Sequence, residues 1–85
     1  LEYIAKNIKY PPVARENNIT GRVYVSFVVD KDGKIKDAKI LRGIGGGCDE
    51  EALRVVKSMP DWKAGRQNGR SVQVQFNLPV NFTLK

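Results

Sequence analysis

The side chains able to do chemistry in this sequence are few, and none are spaced to work together. Cys48 is the only thiol, and histidine is absent. Without an imidazole, Ser26, Ser58 and Ser71 have no base to activate them, so Ser-His and Cys-His arrangements are excluded. One cysteine also excludes an internal disulfide and a cysteine-based zinc cluster. Cys48 reads as a small buried hydrophobe just ahead of a helix. The carboxylates offer no convergent pair. They fall at a turn, Asp30 and Asp32, and at a helix start, Asp49-Glu50-Glu51, where local structure accounts for them. Arg42 to Gly47, RGIGGG, invites a phosphate-loop reading, because backbone donors and a helix dipole hold anions. Three acids follow the glycines at once and no Lys-Ser/Thr pair does, so the segment reads as a flexible connection. No cofactor, metal or catalytic set is expected. The sequence points to a binding module.

The elements that would position such a module are organised around Gly21 to Leu41. Val23, Val25, Phe27 and Val29 fall on one face at period two, with Tyr24, Ser26 and Asp30 opposite. Asp30-Lys31-Asp32-Gly33 supplies a hairpin turn. Ile35, Ala38 and Ile40 mark the returning strand, and their broken alternation predicts a bulge near Lys36 or Asp37. Val28 adds an apolar residue on the second face, which predicts cover on both sides there and a strand at the centre of its sheet.

The remaining elements follow from their punctuation. Leu1 to Asn18 is helical in type but interrupted at Tyr10-Pro11-Pro12, with Pro12 suited to the first turn of a second helix. Asp49 to Met59 carries apolar residues at Ala52, Val55, Val56 and Met59, with Asp49 as N-cap and Pro60 as terminator. Trp62 is expected to pack across the end of the core. The segment KAGRQNGR reads as a loop. Ser71 to Leu84 is the longest alternation, apolar at Val72, Val74, Phe76, Leu78, Val80, Phe82 and Leu84. Pro79 sits within it, so the strand must be an edge or kink there. The expected fold is α+β, two helices on one face of a three-stranded antiparallel sheet in the order 2-1-3.

Size and composition agree with one small domain over residues 1–85. Hydrophobic content of 41% and charged content of 28% are those of a globular chain. No apolar run approaches the roughly 18 residues of a membrane helix. The chain opens at Leu1 without a methionine or signal peptide, which reads as a piece of a longer protein whose anchor lay upstream. The net charge of +6 is spread over the second strand and over Lys63, Arg66 and Arg70. Charges on an outer strand serve solvation and protect against edge pairing.

Taken together, the residues resemble the C-terminal domain of the TonB family of energy transducers. The pieces are Tyr10-Pro11 with Ala14, Gly21 with Val23 to Phe27, Asp32-Gly33-Lys34-Ile35, Asp49 to Leu53, Trp62, Gly65, Gly69, and Val72 to Phe82. Two departures lie in the loop, where the family often has proline at the positions of Ala64 and Ser71. The glycine-rich link with Cys48 and the Val80-Asn81-Phe82 ending look similar to members from Bacteroidetes-type bacteria. The resemblance implies a periplasmic domain tethered to the inner membrane. Such a domain grips the TonB box of outer-membrane transporters and passes on energy from the proton gradient. It meets its inner-membrane proton-channel partners through the N-terminal part.

An exposed, polar-faced edge strand agrees with recognition by strand addition. The expected contact residues are Ser71, Val72, Gln73, Val74, Gln75, Phe76, Asn77 and Leu78, with Gln73, Gln75 and Asn77 tuning specificity. Arg66 and Arg70 are expected to draw in acidic loops. The same open edge predicts a possible homodimer. Two rival readings are the same domain in an envelope sensor or scaffold and a basic nucleic-acid-binding module. The second is disfavoured because outward aromatic surface is little beyond Tyr24, and sheet-type RNA binders stack bases on such rings.

Overall fold

The β1–β2 hairpin builds the centre of the molecule, and its turn shows why the chain folds back where it does. Asp30 Oδ1 accepts the backbone N–H groups of Asp32 and Lys34, each at 2.9 Å. Gly33 has φ +84°, and a Cβ there would run into the carbonyl oxygen of Trp62. The Trp62 N–H in turn donates to the Gly33 carbonyl at 2.7 Å. Glycine is required twice over at this point, for its conformation and for the close approach.

The computed structural model describes residues 2–63 and 65–84. In chain order the elements are α1 (Glu2–Asn7), α2 (Pro12–Glu16), β1 (Gly21–Val29), β2 (Ile35–Arg42), α3 (Cys48–Lys57), β3 (Gly65–Gln67), β4 (Arg70–Val72) and β5 (Val74–Phe82). β2, β1 and β5 form one antiparallel sheet with β1 central, and β3 and β4 form a separate two-stranded ribbon. The register opposes Val23 to Val80, Val25 to Leu78 and Phe27 to Phe76. These side chains share the face on which the helices pack. Val23, Val25, Phe27, Ala52, Val55 and Val56 are wholly buried there, with Ala14 of α2 and Ile4 of α1 in the same cluster. Each buried valine contributes about 1.5–3 kcal/mol of transfer free energy. The α+β architecture and the strand order 2-1-3 agree with the sequence.

The bulge is present, with a second beside it. Between Ser26 and Val28 the partner strand runs from Lys39 to Lys36, one residue too many, and Asp37 has φ 54°. Between Tyr24 and Val25 it runs from Arg42 to Ile40, which leaves Leu41 over. Leu41 is 52% exposed for that reason. Two extra residues in one short strand leave Lys36, Lys39 and Arg42 opposite Val28, Ser26 and Tyr24, all on the face away from the helices. Val28 on that face is half-buried and lies outside the core cluster.

Three other expectations need correction. The helix predicted from Asp49 begins at Cys48 behind an N-cap Gly47 at φ 88°. The Asp49 carboxylate accepts the N–H groups of Ile44 (2.8 Å) and Gly45 (3.2 Å), tying the glycine loop to the helix. The same helix closes at Lys57, and Met59 is buried just beyond it. The strand predicted over Ser71 to Leu84 is divided at Gln73. Ser71 and Val72 pair with Arg66 and Gly65 in a hairpin that the sequence reading had as a loop. Its turn, Asn68-Gly69, has φ 53° and 76°, the two positive values of a type I′ turn. Leu1, Ala64 and Lys85 lie outside the described residues, so the departure from the family pattern at Ala64 has no structural account.

Candidate functional site

Every main-chain group of a central strand is spoken for, whereas β5 has a neighbour on one side only. Which of its groups are free follows from Pro79. In an antiparallel ladder each residue directs both its N–H and its C=O to the same side, and successive residues alternate. The β1–β5 register runs unbroken from Gly21–Phe82 to Val29–Val74, through Tyr24–Pro79. Pro79 has no N–H to give, so its position is one that faces away from β1. By alternation Gln75, Asn77 and Asn81 also face away, and Val74, Phe76, Leu78 and Val80 bond to β1. Gln75 and Asn77 thus present unpaired donors and acceptors along the outer rim.

The same alternation continues through the ribbon. Exposure alternates without interruption from Ser71 to Val80, so no bulge resets the pleat at Gln73. Gln67 and Arg70 close the two-residue turn as a hydrogen-bonded pair, and Val72 opposite Gly65 repeats it. The ribbon's partner strand therefore lies on the side that β1 occupies further along. Ser71 and Gln73 join Gln75 and Asn77 on the open rim. Of the predicted contact residues, Ser71 to Leu78 do form one edge, even though two strands share it.

The apolar face of this edge is incompletely covered. Val72, Val74, Phe76 and Leu78 are half-buried, whereas Val80 and Phe82 further along the same strand are each 1% exposed. Trp62 closes the core beside Phe76, with ring centroids 5.0 Å apart, and lies 5.4 Å from Phe27. Its expected place across the core end is the observed one. On the open face Gln75 is engaged: its Nε2 donates to Ser26 Oγ at 2.9 Å, and Ser26 is 1% exposed. The Gln75 side chain is an internal tie, which leaves Gln73 and Asn77 as the outward amides. Arg66 and Arg70 are both exposed but occupy opposite faces of the ribbon, Arg66 sharing a face with Ser71 and Arg70 with Gln67. They do not form one cluster.

Two features escaped the sequence reading. The Ser26–Gln75 bond joins polar residues of adjacent strands, and only the register could reveal it. A groove between α1 and β5, lined by Ile4, Ala5, Ile8, Leu78, Pro79 and Asn81, depends on where a six-residue helix comes to rest.

No curated protein matches this chain. The solution structure of the Helicobacter pylori TonB C-terminal domain, residues 194–285 in that protein's own numbering, is similar to it. The TM-score is 0.74 at 26% identity, over 99% of this chain and 88% of that one. A longer form of the same H. pylori domain gives a TM-score of 0.76 at 26% identity, over 99% of this chain and 76% of that one. The family model for the Gram-negative bacterial TonB protein C-terminal region matches residues 6–84. The family model spans nearly the whole length and the fold agrees with both solution structures, and the chain belongs to the TonB C-terminal family.

Proposed function

We propose that this chain is the periplasmic gripping end of a TonB-type energy transducer, which captures the TonB box of outer-membrane transporters as a strand added to β5. The observation that carries the reading is the unpaired rim at Gln75 and Asn77, made outward-facing by the parity that Pro79 fixes. Main-chain bonds at this rim supply most of the affinity, so recognition of an extended peptide needs few side chains of its own. Arg66 and Arg70 on the neighbouring ribbon attract acidic segments and speed encounter, a contribution that salt weakens. The domain has no catalytic activity of its own in this reading. Its anchor, and its contact with inner-membrane proton-channel partners, belong to the rest of the protein.

A proline scan of the rim tests the reading. Gln75→Pro removes an outward N–H without touching the β1 ladder, so the fold survives and peptide binding is lost. Gln75→Ala removes the tie to Ser26, costing about 1 kcal/mol of stability while leaving binding nearly unchanged. Titrations of a labelled TonB-box peptide, with circular dichroism to verify folding, separate the two. Equal loss in both variants means that side chains carry recognition and that strand addition is wrong.

A further inference from the structure

We infer that side-chain selectivity at this edge resides in the groove between α1 and β5, which takes one aliphatic side chain of the captured strand level with Leu78. The inference rests on the strand-addition reading and adds to it a chemical requirement on the partner. The groove holds about 160 Å³ and is walled by Ile4, Ala5 and Ile8 on α1 and by Leu78, Pro79 and Asn81 on β5. Ile4, Ala5, Ile8 and Leu78 make the apolar side of the groove, and Pro79 and Asn81 border it from the strand edge.

Pleat geometry dictates what enters it. A strand bonded to the outward groups of Gln75 and Asn77 lies about 4.8 Å from β5, and its side chains alternate between faces. The residue level with Leu78 points to the same face as Leu78, where the helices pack and where α1 stands. Its neighbours, level with Asn77 and Pro79, point to the open face and into water. One position in two is therefore read, and the positions between are not. Ile4 is 7% exposed and fixed in the core, so the wall does not retreat from a larger guest. The half-buried flank from Val72 to Leu78 ends where α1 begins to cover the strand, so groove and free rim are continuous. An extended peptide is the occupant that satisfies both, because it alone brings main-chain partners to the rim and a side chain to the groove.

The test uses a fluorophore-labelled host peptide of alternating Ser and Thr, with Gly, Leu or Asp placed at each position in turn. Anisotropy titration against the domain is expected to show one position at which Leu binds about tenfold more tightly than Gly, and Asp more weakly than either. Ala5→Leu fills the groove from an exposed helical site at little cost to helix formation. It is expected to abolish the Leu preference while leaving the Gly peptide's affinity unchanged. Gln75→Pro serves as the control for the underlying reading and is expected to abolish binding of every host peptide. Binding that depends on Gln75 but shows no Leu preference, or a preference that survives Ala5→Leu, overturns the groove and leaves strand addition standing. Binding indifferent to Gln75→Pro, or no binding by any host peptide, overturns both.

Discussion

Trp62→Ala probes how the segment ahead of β3 is fastened to the sheet. Removing a fully buried tryptophan costs about 3–5 kcal/mol. Trp62 is only half-buried, so the transfer and cavity contribution falls to about 2 kcal/mol. Its contacts with Phe27 at 5.4 Å and Phe76 at 5.0 Å lie within the favourable range for aromatic pairs and add up to about 1 kcal/mol. The bond from the Trp62 N–H to the Gly33 carbonyl is a main-chain bond and survives the substitution. The expected loss is about 2–3 kcal/mol, or about 10–20 °C in Tm for a domain of this size. Urea unfolding followed by far-ultraviolet circular dichroism measures it, since the substitution removes the only tryptophan. An unchanged midpoint with loss of peptide binding would show that Trp62 is a contact residue and not a core one.

Acid should weaken the fold through two carboxyls held below their ordinary range. Asp30 is lowered chiefly by the backbone N–H of Lys34, and Glu51 chiefly by the Arg54 guanidinium with help from the Lys9 N–H. Both contributions are complete above the unfolded values near 4 and vanish as pH falls through the lower folded values. The urea midpoint should therefore drop between about pH 5 and pH 2, and D30N/E51Q should flatten that drop. An undiminished acid loss in the double variant would reject the assignment. We also expect weak self-association through β5, suppressed by Gln75→Pro. Sedimentation that shows a pure monomer at high concentration, or a dimer indifferent to that substitution, would end the idea.

The sequence made most of the sheet legible because its signals were local and mutually consistent. The alternation in β1, the Asp-Gly turn and the lapse between Ile35 and Ala38 sufficed for hairpin and bulge. Pro79 implied an edge or a kink, and the strand order 2-1-3 made it an edge. What stayed hidden was decided by competition between equivalent local choices. Asp49 is a good N-cap, yet Gly47 takes the cap with a left-handed backbone and frees the carboxylate for Ile44 and Gly45. Asn68-Gly69 carried a turn signal, but Gly65, Arg66, Gln67, Arg70 and Ser71 have no strand preference of their own. The second bulge was concealed because Leu41, an apolar residue after Ile40, reads as continuing strand. The candidate rim was legible from Pro79. The groove beside it was not, since nothing in α1 names its resting place.

The two bulges on β2 have a bearing on assembly. A sheet offers two borders to foreign strands, and on β2 the paired spacing of donors and acceptors is broken twice within eight residues. A regular strand cannot follow such a border, least of all past Lys36, Lys39 and Arg42. Of the two borders of the three-stranded sheet, β5 is thereby the one open to a regular strand. Two copies that met through β5 would each consume the other's open border of this sheet, so self-pairing there would stop at the dimer and not propagate into fibres. Self-pairing and the proposed peptide capture would then be mutually exclusive, and the apparent affinity for a peptide should fall as the domain is concentrated.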